Sequence, residues 1–266
     1  MTALAPAGTA GPLTTAATIT ARGLRQLART PQVLGIAVVQ SVLFLLMFRY
    51  VIGGAIGVQG VSYVDFLVPG FVVSGLIFTA GGSAVAVAED AASGLYDRLR
   101  SLPIADAAVL AGRALGDAAL MVFVSLVTLL VGVAVGFRFG ASAAEAIAAF
   151  GLIAVYALAL AWVFVWVGLI SGSAQAAQGL GIIGVPFSFL SSAFVPTSTM
   201  PSVLQAFADH QPLTFMVNAG RGLLLGDAAT ASFDHSLRYY VIGSLLWSLA
   251  LAAIFAPLAV RAYRRR

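Results

Sequence analysis

Residues Ala146–Ile170 read AIAAFGLIAVYALALAWVFVWVGLI, 25 consecutive residues without a charged side chain. As a helix this stretch reaches about 37 Å, more than the roughly 30 Å hydrocarbon core of a bilayer. Comparable runs fall at about 33–52, 66–88, 115–136, 179–197 and 238–259, so the reading is an all-α membrane protein with six transmembrane helices. Pro69, Gly70 and Gly75 interrupt the second run and Pro186 the fifth. Membrane helices tolerate such residues where neighbours satisfy the freed backbone groups.

Composition points the same way. Hydrophobic residues make up 61% of the chain and charged residues 9%, with mean hydropathy +1.01. A soluble domain carries about a quarter charged residues, so that class is excluded. The 266 residues form a single transmembrane domain and leave no room for a sizeable second one. Without cysteine there is no disulfide, thiol nucleophile or thiolate-bound metal. Every basic residue is arginine, and a phosphate-binding loop of the Walker type needs a lysine, so no ATP site is expected on this chain. His210 and His235 lack metal-ligand spacing, and the serines lack a nucleophile elbow, so neither a metal site nor a hydrolase is expected.

The first apolar run starts late for a cleavable signal, so the N-terminus reads as retained, with residues 1–12 a disordered leader. Over 13–31, Arg22, Arg25 and Arg29 share one helical face while Thr20, Leu24 and Leu27 lie on another, the pattern of a helix lying in the membrane interface. Arginine also sets orientation. On one side fall Arg22, Arg25, Arg29, Arg98, Arg100, Arg113, Arg261, Arg264, Arg265 and Arg266; on the other, Arg49, Arg138, Arg221 and Arg238. The excess makes the first side, and both termini, cytoplasmic.

Two segments between spans carry information. Glu89, Asp90, Asp97, Arg98 and Arg100 mix charges of both signs with Leu95, Tyr96, Leu99 and Leu102, spaced as the apolar stripe of a short helix. That pattern fits docking on a soluble partner, or a helix lying on lipid. Outside, residues 198–237 are too apolar for a water-exposed loop and too broken by Pro201 and Pro212 for a span. Two short re-entrant helices, dipping part-way into the outer leaflet, are expected there. Phe44, Phe71 and Phe78, with Phe187, Ser74, Ser188 and Ser191, are candidate lining for an amphiphilic path, being aromatic with a few polar handles. For any single one of them, lipid-facing or interhelical filler is the commoner role. Asp65, Asp117 and Glu145 fall near span ends, where headgroups solvate them, so no midplane carboxylate marks an ion-coupled carrier. A broken-helix ion site at Pro69-Gly70 or Gly184-Val185-Pro186 stays open.

Four stretches have a familiar look: Tyr63-Val-Asp65-Phe-Leu-Val-Pro69-Gly70, then Glu89-Asp90…Gly94-Leu95…Arg98-Leu99-Arg100-Ser-Leu-Pro103-Ile. The others are Ser191-Ser-Ala-Phe194-Val-Pro196…Met200-Pro201 and Gln211-Pro212…Asn218-Ala-Gly-Arg221. In order and spacing the chain resembles the permease subunit of type-2 family ABC exporters, in the daunorubicin-resistance-like branch. The resemblance implies a bacterial plasma-membrane protein with six helices, paired with a second permease subunit as a homo- or heterodimer. It implies separate ATP-binding cassette subunits that carry ATP and magnesium, with no cofactor on this chain and no nucleic-acid partner. It makes 89–103 the cytoplasmic coupling helix, with Gly94 among its residues, and an amphiphilic drug, antibiotic or lipid the cargo. The alternatives are an ion-coupled carrier or channel acting without an ATPase, and a membrane scaffold that binds a partner without moving solute.

Overall fold

Apolar runs bounded by capping residues become helices throughout residues 11–53, 62–230 and 233–265, the parts of the chain that the computed structural model describes; among them no strand occurs. The leader expected before residue 11 lies outside the described residues. In chain order the helices are α1 (Pro12–Arg29), α2 (Pro31–Met47), α3 (Tyr63–Ala92), α4 (Leu95–Arg100), α5 (Asp106–Ala134) and α6 (Ala143–Ile170). There follow α7 (Ala174–Ile182), α8 (Gly184–Phe189), α9 (Ser202–His210), α10 (Pro212–Leu225), α11 (Asp227–Thr230) and α12 (Leu237–Arg265). Helices α3, α5, α6 and α12 are each long and apolar enough to cross a membrane. The first expected span is α2 extended by a π turn over Phe48–Ile52.

Local chemistry sets several boundaries. Ser62 starts α3 by accepting from the Asp65 backbone N–H at 3.2 Å. Ser142 and Glu145 form a reciprocal capping box at the start of α6. Helix α3 runs past its expected end at residue 88, so Glu89 and Asp90 belong to its last turn and not to a loop. Gly94, at φ 73°, then reverses the chain into α4 in a conformation that a Cβ would disfavour.

The fifth expected span is divided. Pro186 has no N–H to donate to the Ile182 carbonyl, so the helix breaks there into α7 and α8. Beyond α8 the backbone turns through residues 190–195, and this irregular stretch is buried: Ser191, Ser192, Ala193 and Phe194 are all nearly inaccessible. Helix α3 crosses it closely, since a Cβ on Gly70 would sit 2.0 Å from the Ala193 oxygen.

Buried irregular backbone away from water needs internal donors. Arg221 on α10 supplies them. Its Nη2 donates to the Ser192 and Ala193 carbonyls at 2.6 and 3.0 Å, and its Nε donates to the Phe66 carbonyl at 3.0 Å. Nη1 reaches Asn218 Oδ1 at 3.3 Å, and the guanidinium lies 3.6 Å from the Phe66 ring centroid. Helix α10 is accordingly enclosed by α3, α6 and α12, where the sequence pattern places it against the outer leaflet. Helix α9 carries the exposed apolar side chains of this segment, Val203, Leu204 and Phe207.

Two ends of the bundle differ in charge. Thr20 Oγ1 donates to the Gly112 carbonyl at 3.0 Å, Arg264 Nε to Asp106 at 2.9 Å, and Arg100 to the Tyr263 carbonyl at 3.2 Å. These contacts gather the arginines of α1, α4, α5 and α12 at one end. The opposite end holds the start of α3, where Asp65 accepts from the Arg138 backbone at 3.1 Å.

Arg221→Met should leave three buried carbonyls short of a donor, at a cost of about 3 kcal/mol or more. The expected result is a lower midpoint of thermal unfolding in detergent, with Arg221→Lys intermediate. An unchanged midpoint for the methionine variant would show that those carbonyls find other donors.

Candidate functional site

At the arginine-rich end, i,i+4 spacing places Arg113 and Asp117 on one face of α5. Arg113 Nε donates to both Asp117 carboxylate oxygens, at 3.2 and 3.0 Å, and its Nη1 pairs with Asp90 on the last turn of α3. Asp117 is 8% exposed. The sequence reading has headgroups solvate it; here the protein encloses it and Arg113 supplies the counter-charge. The three side chains lock the ends of α3 and α5 together.

Helix α4 follows two residues after α3 and has two faces. Inward, Tyr96 is 5% exposed within a cluster of Val87, Val109, Leu110, Leu169 and Tyr263. Burial pushes its phenol above its ordinary value, so the ring stays neutral across the physiological range. Arg100 also turns inward, pairing with Asp97 and standing 5.5 Å over the Tyr263 ring. Outward lie Glu89, Asp97, Arg98, Ser101, Leu102 and Pro103, all exposed, with Leu95 and Leu99 half-buried.

Of the residues assigned to ATPase coupling, Tyr96 is therefore a packing residue of this chain and no external anchor, because its ring is already covered. Asp90 and Arg100 are committed to ion pairs within the chain. Glu89, Arg98 and Leu102 remain exposed, with Asp97 exposed at the edge of its pair with Arg100.

Two adjoining cavities open beside this surface. The larger, about 340 Å³, lies between α2, α3 and α5 and is lined by Ile36, Gln40, Phe78, Thr79, Ser83 and Asp117 among others. The second, about 290 Å³, is walled by α1, α3, α4 and α5, including Arg22, Glu89, Leu95, Leu99 and Arg113. Leu27, Ala86, Arg113 and Asp117 border both. An apolar wall with a few charged and amide groups suits an amphiphile.

The seven residues named for a solute path do not share one surface within this subunit. Phe78 lines the larger cavity, and the Phe44 ring packs 6.2 Å from the Phe78 ring. Phe71 is 1% exposed, wedged between Phe48 and Phe194 at 5.3 and 5.1 Å. Ser74 is fully buried, Ser188 donates to the Gly184 carbonyl and Ser191 to the Ser188 carbonyl. Phe187 is exposed on a different side, 5.9 Å from Phe207 on α9. Sequence reasoning also missed Gln40 and Tyr263. The Arg113–Asp117 spacing was readable as a helical pair, whereas nothing local ties Tyr263 to Tyr96.

A family model described as ABC-2 type transporter matches residues 14–225. Over 231 residues the chain is 31% identical to the daunorubicin resistance ABC transporter permease protein DrrB1 of Streptomyces coeruleorubidus, covering 86% of this chain and 78% of that protein. It is 28% identical over 235 residues to the probable doxorubicin resistance ABC transporter permease protein DrrC of Mycobacterium tuberculosis, covering 86% and 80% respectively.

Removing one partner of a buried ion pair strands the other, at about 3–5 kcal/mol, while removing all the charges together costs far less. Arg113→Met should therefore depress folded yield and thermal stability sharply. Combining it with Asp90→Asn and Asp117→Asn should recover most of the loss. If the triple variant proves no better than Arg113→Met, the charges are not what couples α3 to α5.

Proposed function

This chain belongs to the ABC-2 type transporter family and is a transmembrane subunit of an ABC exporter, and we propose that it expels an amphiphilic drug, antibiotic or lipid from the cell. ATP hydrolysis lies on a separate cassette subunit docked from the cytoplasm, and two permease subunits complete the transporter. Six crossings, with α2 plus its π turn as the first and the α7–α8 pair as the fifth, put both termini on the arginine-rich, cytoplasmic side.

The observation that carries this reading is the outward face of α4 and its flanks. At the charged end of the bundle Arg98 stands exposed on a short helix whose inner face is fixed, and Glu89 on the last turn of α3 and Leu102 just beyond α4 are exposed on its flanks. An exposed leucine framed by charges of both signs is a docking patch for a protein, which supports a cytoplasmic partner. Two further features support the cargo: the cavities are mainly apolar with a charged end, and the relatives bear the names of daunorubicin and doxorubicin resistance. An ion-coupled carrier built on a buried carboxylate would need that group free to take up a cation, and Asp117 is already held by Arg113.

Capture of this chain from its native membranes in mild detergent should bring down a soluble ATPase in stoichiometric amount. Arg98→Glu with Leu102→Ala should weaken that capture about tenfold, the scale of a small interface hot spot, with thermal stability retained. No ATPase in the capture, together with solute flux that survives ATP depletion, would replace this reading with a self-contained carrier.

A further inference from the structure

Chain ends are ordinarily loosely held unless something ties them down. The end of α12 is tied down. Tyr263 is 1% exposed although its neighbours Arg261, Arg264 and Arg265 are all exposed. Its ring meets the Tyr96 ring edge-to-face at 5.3 Å, and its hydroxyl donates to the Tyr96 carbonyl at 3.4 Å. Arg100 closes the contact from the other side, donating to the Tyr263 carbonyl at 3.2 Å with its guanidinium over the ring. One residue later, Arg264 pairs with Asp106 at the start of α5. Helix α4 is thus clasped by an element 163 residues away in sequence.

The clasp matters because of how α4 is joined to the rest of the chain. It hangs from α3 through two residues alone, Ser93 and Gly94, with Gly94 in the left-handed conformation that turns the chain. A push on the outward face of α4 would rock it about this joint unless its inner face were gripped. Helix α12, in turn, reaches the far end of the bundle. There Tyr239 and Tyr240 pack on Phe215 of α10 at 5.3 and 5.9 Å. One helix of about 43 Å therefore touches α4 at one end and α10 at the other.

We propose that Tyr263 is a positioning residue for energy coupling: it holds α4 on the end of α12, so that displacement of α4 by the ATP-binding subunit is delivered along α12 towards α10. The proposal rests on the exporter reading above and goes beyond it, because it assigns the route to the C-terminal helix and names the residue that engages it.

The absence of cysteine makes the test direct. Leu246 on α12 is 61% exposed, so Leu246→Cys can carry an environment-sensitive fluorophore in the full complex with its ATP-binding subunit, reconstituted in lipid nanodiscs. Adding ATP should shift the signal. Tyr263→Ala should cut that shift about fivefold, the scale of coupling carried by one packed contact, while the ATPase remains bound. Tyr263→Phe, which keeps the ring, should restore it, as a purely destabilising loss would not require. If Tyr263→Ala fails to fold, Arg100→Met loosens the same clasp and should reduce the shift in its place. A further complex, with Tyr96→Cys and Tyr263→Cys joined by a short bifunctional linker and the emission of Trp247, next to position 246, read against a paramagnetic lipid quencher in place of the thiol dye, should keep its ATP response.

An undiminished shift in a folded alanine variant, or in Arg100→Met where alanine does not fold, overturns the proposal. So does loss of the response on linking, which would mean the clasp must open in each cycle. A parent complex that binds the ATPase but shows no shift overturns the route while leaving the exporter reading intact. Failure to bind any ATPase overturns both.

Discussion

A carbonyl oxygen in hydrocarbon has no water to turn to, and the half of this protein away from its arginine-rich end is organised around three that would otherwise be stranded. The broken helix at α7–α8 sends irregular backbone through the interior, and α3 comes so near that Gly70 leaves space for no side chain. Arg221 makes this arrangement affordable. One planar group with several donors reaches the start of α3 and the turn after α8 from a third element, α10. A lysine offers a point charge and no such fork. Enclosure of α10 and the crossing of α3 over the turn both follow from that guanidinium.

The arginine-rich half is held by different means. There the binding forces are between full charges, Asp90 with Arg113 and Arg113 with Asp117, and between aromatic rings at Tyr96 and Tyr263. Ion pairs of this kind add little net stability over apolar packing, but they penalise every arrangement that separates them. The consequence is a firm frame of α3, α5 and α12 around a small helix whose other face is exposed.

Much of this was legible in the chain. The apolar runs located α3, α5, α6 and α12 because hydrocarbon thickness imposes a length that few other environments demand. Their ends were less legible. Glu89 and Asp90 look like loop residues in sequence, yet Asp90 meets Arg113, so the helix continues through both. Pro186 announced an interruption, but nothing local showed that the chain beyond α8 would turn through the interior, where Arg221 satisfies its carbonyls. The stripe of Leu95, Tyr96 and Leu99 correctly marked an amphipathic helix at α4, while the side that it faces was set by Tyr263, too distant in sequence for any local pattern to show. The path residues failed for a similar reason: Phe71, Ser188 and Ser191 have the chemistry of a lining, and only packing shows that their surfaces are already taken.

The division of the fifth segment also reaches the lipid around the protein. Helices α7 and α8 together rise about 24 Å, short of the hydrocarbon thickness that α3, α5, α6 and α12 match or exceed. On this flank Leu180, Ile182, Ile183, Phe187 and Phe189 face outward, with α9 laid across the top through Phe187 and Phe207. A bilayer meets a short hydrophobic wall by thinning, or removes the mismatch by letting short walls associate. One molecule therefore presents two hydrophobic heights to its annulus. Acyl-chain length becomes a determinant of which flank the membrane tolerates and which it drives into contact with another protein.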